Sequence, residues 1–123
     1  MPEHFQVDEV MTESGDRLAL SLGFVSPNDP LDTLHFVAGN NPERKTPLYV
    51  ERTDQSLSCI GQVIRFACEG GGLTLSLTEQ GARSLGLKPM VRFGFDAHPE
   101  LLVVAARQLA AIGRAGYSDV VEV

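Results

Sequence analysis

Two alternating runs that meet at three consecutive glycines constrain the fold of this chain most strongly. In the first run, Ile60–Cys68, we expect Ile60, Ile64 and Phe66 on the inner face, and the second run, Leu73–Leu77, has leucine at every other position. Alternation with period two is typical of a half-buried strand. Glycine readily adopts the positive φ of a tight turn. The sequence therefore predicts a β-hairpin that turns at Gly70–Gly72.

Further strands are predicted before the hairpin. Residues 17–24 alternate with the leucines and Phe24 inward, and residues 31–37 form a shorter run of the same kind. Residues 38–47 form a loop by composition. In the strand that follows, extended geometry places Tyr49 and Glu51 on one face and Val50 and Arg52 on the other.

Two helices are predicted after the hairpin. Thr78 is a suitable N-cap for a short helix, Glu79–Leu85, and Gly86 is suited to end it. A strand over residues 90–95 precedes a longer helix that ends at Gly113. The apolar stripe of this helix is formed by Leu101, Leu102, Ala105, Leu109 and Ile112.

This order of elements predicts the α+β class, with a mainly antiparallel sheet of about five to six strands, a short helix and a longer C-terminal helix. At 123 residues, the chain has the length of one domain, 1–123. The end segments, 1–15 and 114–123, are expected to be more loosely attached. The first can contribute a short edge strand around Phe5–Val7, and the second either frays or adds a strand near Val120 and Val121.

Charge and hydropathy limit the classes of partner. The net charge is −6, from 16 acidic and 10 basic residues, so we expect no nucleic-acid partner, because phosphate binding requires a concentrated basic surface. An acidic surface suits a basic protein partner, although it also serves solubility. No apolar run reaches the roughly 18–20 residues that cross a bilayer, so no membrane association is expected. The N-terminus lacks the features of a secretory signal, and we expect a cytoplasmic protein.

The chain carries no recognisable catalytic or metal-binding motif. GxGxxG, Walker A, GxSxG and HExxH patterns are absent, and His4, His35 and His98 stand far apart. Cys59 and Cys68 lack the spacing of a zinc site. In a cytosolic protein, we expect both cysteines to be reduced and packed as small hydrophobes, although geometry alone decides whether they pair. The sequence therefore predicts no enzyme, no cofactor and no metal site.

The most unusual polar cluster is Tyr49, Glu51, Arg52, Asp54 and Gln55. Tyrosine and arginine are frequent anchors of protein interfaces, so the cluster is a candidate partner-binding surface. An ordinary solvated sheet face is the competing interpretation, and the residues alone favour it.

These residues also carry a family resemblance. The chain resembles the Immunity protein 10 family over about residues 16–113. The matching features are the Tyr49-Val50-Glu51 strand that ends in Asp54-Gln55, Gly61, the leucine hairpin, and the Thr-initiated helix with Leu85-Gly86-Leu87. A strand like Val-Arg-Phe-Gly-Phe and a closing helix extend the similarity. Where this family suggests a more acidic strand, this chain has Arg52-Thr53.

The resemblance implies a bacterial immunity protein that neutralises a cognate toxin of a polymorphic toxin system by stoichiometric binding. It brings no catalytic residues with it. A different expectation is a small-molecule-binding or enzymatic α+β domain, with a pocket near Tyr49, Glu51 and Arg52. A homodimer that pairs through an edge strand is a third possibility.

Overall fold

The computed structural model describes residues 2–27, 29–41, 43, 46–53 and 56–123. In this part of the chain, nine strands form one mixed sheet, and two helices accompany it, so the fold is broadly α+β. A π-helical turn, Gly113–Tyr117, continues the second helix. The strands are β1 Glu3–Ser14, β2 Arg17–Ser26, β3 Asp29–Gly39, β4 Tyr49–Arg52, β5 Ser58–Ile60, β6 Val63–Glu69, β7 Gly72–Leu77, β8 Met90–Gly94 and β9 Val121–Glu122, and the helices are α1 Glu79–Leu85 and α2 Pro99–Ile112.

The sheet is larger than the predicted five to six strands. Its order is β5-β4-β3-β2-β1-β8-β7-β6-β9, with β1–β8 and β6–β9 parallel and the other pairs antiparallel. The additional strands include the two end segments that the sequence left loosely attached. β1 lies in the middle of the sheet, between β2 and β8, and β9 pairs with β6. The sequence of β1 does not indicate a central strand, because most of its residues are polar and only Phe5 and Val7 are fully buried.

The hairpin of β6 and β7 forms as predicted. Gly70 and Gly71 occupy the turn with φ values of 57° and 75°, a region that residues with a Cβ adopt only at a cost. The predicted inner face of the first run is only partly correct. Ile60 belongs to β5, which pairs with β4 at the other edge of the sheet, and it is 56% exposed. Within β6, the register shifts between Val63 and Arg65. At this bulge, Val63 is buried and Ile64 turns out to solvent.

The sheet bends strongly, so that distant strands share one core. β3 and β6 stand third and eighth in the strand order, yet the rings of Phe36 and Phe66 lie 4.5 Å apart between centroids. A second aromatic group joins β1, β2 and β8, where Phe5 stacks on Phe24 at 4.5 Å and Phe93 meets Phe24 edge-on at 5.7 Å. We call the concave side that these rings occupy the inner face, and the opposite side the outer face.

Both helices pack on the inner side. Ala105, Leu109 and Ile112 of α2 are buried in the core, as the predicted stripe requires, whereas Leu101 and Leu102 are half-buried. The backbone does not turn at Gly113, which keeps a helical φ of −56°, and the chain continues as a π-helical turn. In α1, Thr78 Oγ1 accepts from Gly81 N at 3.0 Å, and Gly86 ends the helix at φ 65°, as predicted.

No helix among the described residues is long and apolar enough to cross a bilayer. Cys59 and Cys68 are unpaired thiols that pack against the core, and burial raises the pKa of the Cys59 thiol.

Candidate functional site

Strand β4 divides the predicted cluster between the two faces of the sheet. Tyr49 lies opposite Val37 and Glu51 opposite His35, and all four side chains belong to the outer face. Arg52 lies opposite Leu34, which is fully buried, and therefore belongs to the inner face. The period-two alternation read from the sequence is confirmed for this strand. Asp54 and Gln55 lie outside the described residues.

Arg52 joins the sheet to helix α1. Its Nη2 donates to Asp32 Oδ2 at 2.7 Å and its Nε to the same oxygen at 3.1 Å. Its Nη1 donates to the carbonyls of Leu85 at 2.9 Å and Gly86 at 3.0 Å, at the C-terminal end of α1. A cation at this end also interacts favourably with the helix dipole. The contacts of Arg52 are therefore those of a structural clamp.

Asp32 is the buried partner in this clamp, with its side chain 3% exposed, against 16% for Arg52. Burial by itself would raise the pKa of Asp32. Hydrogen bonds from Arg52, Ser26 and Thr53 outweigh it and hold the pKa below its ordinary value. Asp32 is thus charged at neutral pH, and it joins β3 to Arg52 of β4, which in turn reaches the end of α1.

The outer face of β1–β5 carries Tyr49 and Glu51 of the predicted cluster, and these two residues line a groove of about 580 Å³. No residue of α1 or α2 lines this groove. Ile60, which is 56% exposed, stands beside Tyr49 on β5. The lining consists of Arg17, His35, Val37, Gly39, Thr46, Pro47, Tyr49, Glu51 and Ile60.

Two hydrogen-bonded pairs organise the polar groups of this face. Tyr49 OH donates to Glu51 Oε1 at 2.7 Å, and this bond is the main reason that the pKa of the Tyr49 phenol is raised. Ser21 on β2 is hydrogen-bonded through Oγ to Nδ1 of His35 on β3. The sequence placed Ser21 on the outward side of its strand, but nothing local indicated that His35 would be its neighbour.

A second, smaller depression of about 100 Å³ adjoins the groove on the same face. Its rim carries Asp8 and Glu9 beside the exposed side chains of Met11 and Leu31, which are 58% and 80% exposed. Sequence reasoning missed this region. The sequence feature that could have indicated this depression is Gly23, which leaves space at its floor. A Cβ at this position would come within 3.1 Å of the Glu9 Cβ.

The outer face as a whole is acidic and partly apolar. Its strands carry the carboxylates of Glu9, Glu13 and Glu51. Among the described residues of this face, Arg17 supplies the one guanidinium. In the described part of the chain, no three His, Cys, Asp or Glu side chains come together as metal ligands. The arrangement can present apolar contacts and carboxylates to a ligand or to another protein.

The fold and this face define an α+β protein in which no helix of the described residues lines the depressions on the outer side of β1–β5. Comparison with protein-family models, with curated proteins and with solved structures finds no match to the chain. The resemblance to the Immunity protein 10 family therefore rests on the sequence motifs alone.

Proposed function

We propose that this chain is an immunity protein that acts in the cytoplasm and neutralises a cognate bacterial toxin by stoichiometric binding. The observation that carries the proposal is the outer face of β1–β5, where, among the described residues, exposed apolar side chains stand among carboxylates. Contiguous exposed apolar surface rimmed by polar residues is typical of interaction sites. The motif resemblance supplies the class of partner.

The dimensions of the face suit a protein partner. Five strands spaced about 4.8 Å apart, with central strands about 33 Å long and shorter outer strands, give a planar area of roughly 600 Å². A standard interface buries about 800 Å² on each partner, so most of this face would be covered. Tyr49, which this face carries on β4, is the type of residue that dominates binding energy in such interfaces.

Charge indicates the chemistry of that partner. The chain carries a net charge of −6, and the outer face has an excess of carboxylates over its guanidinium. A toxin domain with a basic surface would be attracted to this face, and the rate of association would fall as salt is added. In this proposal, the protein covers a functional surface of the toxin and performs no bond-making step.

Co-expression with the toxin domain encoded in the neighbouring gene tests the proposal. Wild-type protein should restore growth and co-purify with the toxin in a one-to-one ratio. Ile60→Arg should weaken both effects, because Ile60 lines the outer groove. Ile64→Arg is the matched control, since Ile64 is 57% exposed against 56% for Ile60 and lines none of the outer-face depressions.

Two results would overturn the proposal. The immunity function fails if wild-type protein neither protects cells nor co-purifies with the toxin. The choice of face fails if Ile64→Arg abolishes binding and Ile60→Arg does not. Light scattering of the isolated protein distinguishes a third outcome, in which a second copy of the chain covers the outer face.

A small-molecule-binding or enzymatic domain is the second candidate function. The groove of about 580 Å³ falls within the range of ligand sites, roughly 300–1,000 Å³, and Tyr49, Glu51 and His35 supply polar groups to it. Arg52, which the sequence placed near such a pocket, lies on the inner face. A metabolite that raises the melting temperature of wild-type protein, and not of Ile60→Arg, would favour this function.

A further inference from the structure

The groove on the outer face combines an apolar floor with a carboxylate, Glu51, that forms no ion pair with any other described residue. Val37, Pro47 and Ile60 contribute the apolar lining. Glu51 is half-buried beside them, and its Oε1 accepts from Tyr49 OH at 2.7 Å. Among the described residues, no Lys or Arg forms an ion pair with Glu51.

The neighbouring titratable groups do not neutralise Glu51. His35 lies directly opposite it on β3, but its Nδ1 is hydrogen-bonded to Ser21, and no ion pair joins its ring to Glu51. Arg17 lines the same groove, but it lies on β2, two strands away from Glu51 on β4. It is opposite Gly39, whereas Glu51 is opposite His35, four residues earlier on β3. Strand geometry puts the Cα atoms of Arg17 and Glu51 about 16 Å apart, and no ion pair joins the two side chains.

A half-buried carboxylate next to an aromatic ring and an apolar wall matches the side chain of arginine or lysine. The aliphatic stem of such a side chain packs on apolar surface, while its charged head pairs with the carboxylate. Tyr49 adds a ring against which a guanidinium can stack, and arginine does so more often than lysine. The second oxygen of Glu51 is left to accept from the incoming group, because Tyr49 occupies the first.

We propose that the groove binds an arginine or lysine side chain of the partner, with Glu51 as the ion partner, Tyr49 as the aromatic wall and Ile60 beside the stem. This inference rests on the proposed function, since it names the group of the toxin that enters the groove. It also explains the use of tyrosine at position 49: its hydroxyl holds the carboxylate in place for the incoming cation.

The test is an amide NMR titration of the full chain with N-acetyl-arginine N-methylamide as the probe. The matched probe is the citrulline analogue, which has nearly the same shape and no charge. Arginine should shift the amide signals of β3, β4 and β5 around the groove, with an affinity about threefold to fivefold higher than that of citrulline, as expected for one partly exposed ion pair.

Two variants locate the effect. Glu51→Gln should remove the preference for arginine. Glu100→Gln makes the same change of charge at an exposed position in the first turn of α2 and should keep the preference. Circular dichroism of both variants checks that the sheet is intact.

The inference is overturned if arginine and citrulline bind equally, if the shifts lie outside the groove, or if Glu51→Gln keeps the preference. These outcomes are independent of the co-expression result. A protein that neutralises the toxin yet shows no preference for arginine refutes the inference alone. A preference for arginine without toxin binding refutes the proposed function alone.

Discussion

Replacing Arg52 by methionine should destabilise the protein strongly. The substitution keeps much of the apolar stem but removes the guanidinium, and with it the bonds to Asp32 and to two carbonyls of α1. Asp32, whose side chain is 3% exposed, would keep a buried charge without its cation. Removing one member of a buried pair costs roughly 3–5 kcal/mol.

The expected cost lies near the lower end of that range. Thr53 Oγ1 and the backbone N–H of Thr33 still donate to Asp32 Oδ1, each at 2.9 Å, so the carboxylate is not left bare. Arg52 itself is 16% exposed, so some water reaches the pair. We therefore expect a loss of about 3 kcal/mol in the free energy of unfolding, or roughly 10 °C in melting temperature.

Urea unfolding followed by circular dichroism measures this loss. Arg65→Met is the control, because Arg65 also contacts two carboxylates, Glu69 and Glu122, but at the surface. The control should stay close to wild type, since exposed pairs contribute little. A double variant that adds Asp32→Asn should recover part of the loss, because it removes the unpaired charge. The clamp assignment is refuted if Arg52→Met and Arg65→Met are equally stable.

Three further predictions concern the pH dependence of stability, the buried hydroxyl of Tyr117 and the outer-face side chain of Tyr49. Because the pKa of Asp32 is lowered on folding, its contribution to stability is complete above the unfolded pKa of about 3.9 and is lost as the pH falls through the lower pKa of the folded state. The difference in stability between wild type and Arg52→Met, measured by urea unfolding, should therefore shrink as the pH falls below about 4. Tyr117→Phe should cost about 1–2 kcal/mol in urea unfolding, because Tyr117 OH donates to Thr46 O at 2.6 Å and accepts from Gly39 N at 3.0 Å in a buried position. Tyr49→Ala should weaken binding of the toxin in co-purification while leaving the melting temperature near that of wild type, whereas a collapse of the melting temperature would show that this side chain serves the core.

Period-two alternation predicted local structure well where one face of a strand is buried. The inward leucines of β2 and the opposite faces of Tyr49 and Val50 in β4 follow from it directly. The turn at Gly70 and Gly71 and the capped helix α1 also depend only on neighbouring residues. Such features can be predicted because their physical causes lie within a few positions of the chain.

Pairing between distant segments could not be predicted in the same way. β1 carries acidic residues on its outer face and a register shift between Val7 and Glu9, so its sequence lacks the alternation of a central strand. β9 is two residues long and owes its place to β6. Arg52 looked like an exposed interface residue because nothing near it in sequence indicates that Asp32 lies across the ladder.

The same limit applies to the candidate site, whose shape depends on small residues of β2. Ala19 and Ser21 are only 4% and 9% exposed although they belong to the outer face, where Glu13 and Val37 flank Ala19, and Met11 and His35 flank Ser21. At Gly23, an added Cβ would approach Glu9 within 3.1 Å. The floor of the outer face is therefore closely packed at these three positions. Ile60 is 56% exposed and Glu51 is half-buried, so substitutions at these two positions should change the surface of the groove with less effect on the fold than substitutions at Ala19, Ser21 or Gly23.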